Sequence, residues 1–220
     1  MKKIRNVLPI VIVTILIITI LVVPSISYAS FQQAYELYKK GKYYDAEELL
    51  LKEKELSPNN LDVYAVLGWC YYYTRRYSAA IEICEEGLKI NPKDTRFMTT
   101  LGRSYFEFKR YNDAITYFEN SIALNPDYAY TYYYLGRVYL DQGKYLLAEA
   151  AFSAGIALND DRYVFYMYRG DVYERMANYN ASESDYKKAL SLKPNDPKLK
   201  EALIRVISKQ AEEEADFSAP

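Results

Sequence analysis

Prolines 58, 92 and 126 stand 34 residues apart, Asp160 takes the next place, and Pro194 resumes the series. Gly68, Gly102, Gly136 and Gly170 keep the same stride, with Ala34 ahead of them in register. Tyr71, Tyr105, Tyr139 and Tyr173 follow three residues behind each glycine, Leu37 holding the earlier place. A second tyrosine series, Tyr43, Tyr77, Tyr111, Tyr145 and Tyr179, is complete, and Ala46, Ala80, Ala114, Ala148 and Ser182 sit three residues beyond it. A fixed period of this size means one supersecondary unit, too small to bury its own apolar face and covered by its neighbour. The period overrides local propensity. The stretch DYAYTYYYLGRVY, Asp127 to Tyr139, holds six tyrosines in thirteen residues and by itself reads as a half-buried strand. In register, it must instead be what every other unit has at that place.

Within a unit the pattern is two helices. In the third, Met98, Leu101, Gly102 and Tyr105 make one apolar stripe at i, i+3, i+4, i+7, and Ala114, Phe118 and Ser121 make another after a polar turn at Lys109 to Asn112. Asn91-Pro92 and Asn125-Pro126 end the second helices, because the residue before proline avoids helical angles and proline cannot donate to the ladder. The small residues at 68, 102 and 136, and the alanines opening each second helix, are expected where two backbones approach closely.

Leu101, Gly102, Tyr105, Ala114, Phe118 and Pro126, with Leu67, Gly68, Tyr71, Ala80 and Pro92 before them, resemble the tetratricopeptide repeat family. The resemblance implies an all-α fold, a right-handed α-solenoid of five helix-turn-helix repeats, in register 27–60, 61–94, 95–128, 129–162 and 163–196, within residues 30–194. Departures are Ala34, Leu37, Leu50 and Glu53 in the first unit, Asp160 in the fourth, where it is expected to loosen one bend, and Arg169 for leucine in the fifth. A helix at 195–215, with Asp196 as N-cap and Pro197 at its first position, is expected to cap the array by Leu199, Leu203, Val206 and Ile207. Lys198, Lys200, Glu201, Arg205 and Lys209 would form its solvated face, and 216–220 a disordered tail. Ser30 to Gln33 reads as a capping box opening the first helix.

Residues 1–29 pose a separate problem. Lys2, Lys3 and Arg5 precede an apolar run from Val7 to Val23, followed by Pro24 and the small-residue stretch to Ser30. The layout fits a signal peptide cut after Ala29, and the 17-residue run also fits an uncleaved membrane anchor. Either way the positive end stays inside and the rest is expected to be exported, to the periplasm or the extracytoplasmic face of the membrane, with residues 7–23 the only membrane contact if they are retained.

The remaining inventory narrows the chemistry. There is no histidine, which removes Ser/His/Asp triads and imidazole-based zinc sites, and no carboxylate pair stands out from ordinary helix surface. No enzyme activity, cofactor or metal site is expected. With 28 basic and 29 acidic residues, evenly spread, nucleic acid is not an expected partner. Cys70 and Cys84, on opposite helices of the second unit, read as buried free thiols, with a disulfide in an oxidising compartment as the alternative.

Of the 26 tyrosines, those at framework positions read as packing between helices. In the resembling family the inner face is lined by certain positions of each first helix. Carried across, these place Tyr35, Tyr38, Trp69, Tyr72, Tyr73, Arg103, Phe106, Tyr130, Tyr133 and Arg137 on a concave groove. The aromatics are expected to grip apolar side chains of a peptide or partner segment, and Arg103 and Arg137 to meet an acidic group. The terminal-carboxylate clamp of some relatives is missing, its places being taken by Phe31, Tyr35, Val66, Arg96 and Thr100. The expected function is a protein-interaction scaffold or adaptor. Its rival is a module binding cell-envelope glycan through the same aromatics, and self-association through exposed end faces also stays open.

Overall fold

The computed structural model describes residues 30–218, with side chains to residue 213. Eleven helices and no strand are found among the described residues: α1 (30–39), α2 (Tyr43–Leu56), α3 (Leu61–Tyr73), α4 (Tyr77–Ile90), α5 (Thr95–Glu107), α6 (Tyr111–Leu124), α7 (Ala129–Asp141), α8 (Tyr145–Leu158), α9 (Tyr163–Arg175), α10 (Tyr179–Leu192) and α11 (Pro197–Ser218). The tyrosine-dense stretch is helix α7, as the period demands. From α3 to α10 the odd helices have 13 residues and the even ones 14. The Asp160 bend therefore keeps the common helix lengths. None of the described helices is long and apolar enough to cross a membrane, and the run at 7–23 lies outside the described residues.

The chain divides within α5 into two compact units, Met1–Thr100 and Leu101–Pro220. In the first, Val63, Val66, Leu67, Cys70, Cys84 and Phe97 are almost fully buried. Cys70 and Cys84 are unbridged, and burial pushes the Cys70 thiol up to about 12. In the second, Phe152, Phe165 and Val172 form one cluster and Tyr186, Ala189, Leu199 and Val206 another.

Each odd helix turns into its even partner by the same device. The residue at 41, 75, 109, 143 or 177 has a positive φ, and two bonds close the turn around it. In the second repeat the amide of Arg75 donates to Tyr72 O (2.9 Å) and that of Arg76 to Tyr71 O (2.8 Å); in the fourth, Gly143 donates to Leu140 O and Lys144 to Tyr139 O, both 2.9 Å. This is a Schellman closure, which satisfies carbonyls that the helix end would leave orphaned. The residue after it is basic in four repeats, against the usual N-cap preference. The structure gives a reason: Arg76, Arg110 and Lys144 lie over Tyr71, Tyr105 and Tyr139 of the preceding helix, at 4.7, 4.5 and 6.0 Å from the ring centres.

The framework glycines were expected where backbones approach, and the nearest atoms to a side chain built there are side-chain atoms: Cys84 Sγ at Gly68, and rings at Gly102 and Gly136. A Cβ on Gly102 would lie 2.6 Å from Phe118, and one on Gly136 2.8 Å from Phe152. Between successive helix pairs the same trade recurs ten residues apart: a Cβ on Gly87 would meet Phe97 at 2.5 Å, and one on Gly155 would meet Phe165 at 2.3 Å.

At the ends, several expectations are corrected. Ser30 is already helical, and its hydroxyl donates to Glu53 Oε2 at 2.5 Å rather than capping the amide of Gln33. Glu53 is fully buried, so its carboxylate needs a donor more than an exposed amide does. Asp196 does cap α11, accepting from the amides of Lys198 (3.0 Å) and Leu199 (3.3 Å). Leu199, Ala202 and Val206 seal its inner face, but Ile207 is 44% exposed, and the helix continues to Ser218, into the expected tail. Arg205 and Lys209 are not merely solvated, since both reach Glu174.

Candidate partner-binding surface

In the first unit, Tyr35 and Tyr38 on α1 and Trp69, Tyr72 and Tyr73 on α3 come together as expected. Tyr38 is the hub, 6.0 Å from Tyr35, 5.5 Å from Trp69 and 6.2 Å from Tyr73 between ring centres. Tyr73 stacks on Tyr43 at 5.2 Å and meets Tyr72 edge-on at 5.6 Å. None of these five is buried, and Tyr73 is 46% exposed. The rings hold one another in place at small entropic cost while presenting faces to solvent, which suits them to take up apolar groups. Lys39 lies 5.3 Å from the Tyr35 ring and is paired with Glu36.

In the second unit the predicted residues also assemble, but with a different outcome for the charges. Arg137 on α7 is held among three rings, 4.9 Å from Phe106, 5.7 Å from Tyr133 and 5.4 Å from Tyr168. Arg103 on α5 lies 4.8 Å over Tyr134. Arg103 and Phe106 are buried, at 8% and 6% exposure. The guanidinium faces of these arginines, expected to meet an acidic ligand, lie on the chain's own aromatics in a stack that recurs at one period, Arg103 on Tyr134 and Arg137 on Tyr168. Tyr133 packs edge-on against Phe165 at 5.8 Å and Tyr168 at 5.4 Å, and burial pushes its phenol well above the usual range. Tyr130, half-buried, meets Tyr133 edge-on at 6.2 Å.

In this unit Asp141, Asp171, Glu174 and Arg175, inner-face positions by the repeat register, wall a charged basin of about 970 Å³ together with Lys109, Arg205 and Lys209, which sequence reasoning did not place there. Its centre is Glu174, which accepts from Arg205 Nε (2.8 Å) and Nη2 (2.7 Å) and from Lys209 Nζ (2.9 Å). The Arg205 hydrogen bonds, helped by Lys209 and opposed by desolvation, hold its carboxyl down to about 2. Asp171 is shifted the other way by burial and accepts from the Tyr186 hydroxyl at 2.6 Å. The signal was present only as charges of opposite sign 31 and 35 residues apart, outside the repeat's own stride.

The tetratricopeptide repeat model matches residues 99–163 and 135–198, and the model of anaphase-promoting complex, cyclosome, subunit 3 matches 48–121. The chain belongs to the tetratricopeptide repeat family. Its class is the all-α solenoid of that family. A thermophilic tetratricopeptide protein of Thermus thermophilus matches with a TM-score of 0.69 at 20% identity, covering 84% of this chain and 99% of that one. A MamA protein matches at 0.62 and 25% identity over 78% and 94% of the two chains. The Cut9–Hcn1 hetero-tetramer of the anaphase-promoting complex contains a chain matching at 0.78 and 19% identity, over 83% of this chain and 36% of that one. Comparison with curated proteins returned no match. Tetratricopeptide proteins are generally non-enzymatic scaffolds that bind proteins or peptides.

Proposed function

We propose that this tetratricopeptide protein is a non-enzymatic scaffold working outside the cytoplasm, and that it holds an apolar peptide or partner segment on Tyr35, Tyr38, Trp69, Tyr72 and Tyr73. The observation that carries this reading is the contiguity of half-exposed rings in the first unit, which folding alone does not require. Binding energy concentrates in such aromatic anchors. In the second unit Tyr130 and Tyr133 belong to the same surface class, with Arg137, itself over Phe106, against Tyr133, and Arg103 over Tyr134. Export rests on the basic, then apolar, N-terminal segment.

The test is a crosslinked pull-down from the cell envelope with the full-length chain and its Trp69→Ala/Tyr73→Ala variant. A partner recovered by the first and lost with the second is the expected result, and a capture that survives both changes in a folded variant rejects the reading. Trp69 is the only tryptophan, so its fluorescence reports the site directly. Quenching by soluble cell-wall glycan, with no protein captured, would transfer the surface to the rival glycan reading. N-terminal sequencing of the mature chain decides cleavage after Ala29.

A further inference from the structure

A second surface, on the turn between α7 and α8, answers to different chemistry. Leu146 and Leu147 open α8 at 70% and 49% exposure, and with Met176, 36% exposed, they line a shallow apolar hollow completed by Gly143, Lys144 and Tyr145. The repeat supplies its own control. The places of Leu146 and Leu147 are held by Ser78 and Ala79, by Asn112 and Asp113, and by Asn180 and Ala181 in other units, so the fold does not need leucine there. Adjacent exposed aliphatics that no structural role demands are kept for a contact.

The hollow is continuous with the charged basin, since Gly143 and Tyr145 line both. In the basin Glu174 is committed to Arg205 and Lys209, and Asp171 to Tyr186. Lys109 and Arg175 form no ion pair among the described residues and face only Asp141 as an uncommitted carboxylate there. We infer that this turn docks an amphipathic acidic segment of a partner protein, its aliphatic side chains over Leu146, Leu147 and Met176 and its carboxylates against Lys109 and Arg175. An anionic lipid surface fits less well, because it would press against Asp141, Asp171 and Glu174 together, whereas a discrete segment places its charges between them.

The probe is a labelled synthetic helix with leucine on one face and glutamate on the other, titrated against the full-length chain beside the same peptide with lysine for glutamate. The glutamate peptide is expected to bind at least about tenfold tighter. Leu146→Asn/Leu147→Ala, which installs the fifth unit's own residues, and Arg175→Gln should each weaken it by about tenfold with the thermal melt unchanged. Trp69→Ala should leave it intact, which separates this surface from the aromatic one. Equal affinity for the two peptides, no binding of the glutamate peptide, or indifference to the leucine substitutions overturns the inference. So does leucine-dependent sedimentation with phosphatidylglycerol vesicles, which would make the turn a lipid contact.

Discussion

At the scale of single residues, the departures from the repeat turn out to be compensated by specific partners. Arg169 replaces the leucine of earlier units, and the structure shows why it is tolerated: its Nε and Nη2 grip Asp185 at 2.7 and 2.8 Å, and Nη1 reaches Ser153 at 2.9 Å. Asp185 is almost fully buried, so Asp185→Ala strands a cation and should lower stability by about 3 kcal/mol. Arg169→Leu/Asp185→Ala, which restores the repeat's leucine, should recover most of that loss in urea melts; equal instability of the single and double variants would show that the pair does not compensate. Arg169 was legible as an oddity, but Asp185 as its answer was not, because a separation of 16 positions along the chain says nothing about which side chains face. The glycine at 155 makes a parallel case. Gly155→Ala drives a methyl into Phe165 and is expected to cost about 2 kcal/mol, and adding Phe165→Leu should relieve it, a coupling that a double-mutant cycle measures.

At the scale of the element, the helix-to-helix turn is the most uniform feature and one the sequence concealed. Positions 41 and 143 are glycine, yet Arg75, Lys109 and Ala177 adopt the same left-handed φ, 61°, 57° and 57°. An L residue there is strained by about 1 kcal/mol, so Ala177→Gly should stabilise the chain and Gly143→Ala destabilise it by about that amount, read as opposite shifts in melting temperature. If Ala177→Gly destabilised, the entropy of the freed backbone would outweigh the relieved strain. Because only two of five turns carry glycine, the shared backbone could not be read from residue type. The cations lying over Tyr71, Tyr105 and Tyr139 escaped for a related reason, since a basic residue at an N-cap looks like a mismatch until the neighbouring ring is seen. Helix existence and length were legible, because the apolar stripe and the Asn-Pro stops depend on spacing alone.

At the scale of the whole molecule, the closing helix is held by charge as well as by its apolar face. Glu174 has a folded value of about 2 against an ordinary 4.5, so its contribution is complete above the ordinary value and fades as pH falls toward 2. The stability difference between the wild-type chain and Glu174→Gln should therefore be constant near neutrality and vanish through that window in denaturant melts. A difference that persists at pH 2 would mean that the charge plays no part. Asp171, which burial shifts upward, feels the Glu174 charge as well, so Glu174→Gln also removes part of that shift. The amino-acid sequence by itself determined the period, the helix pairs, the family and which residues could line an inner face, because each follows from spacing along one chain. Tertiary structure decided what those side chains do there. The rings of the first unit stay half open, Arg103 and Arg137 lie on the chain's own tyrosines, and cations from a turn and from the last helix join the basin, because the neighbours of a side chain are set by packing rather than by its place in the repeat.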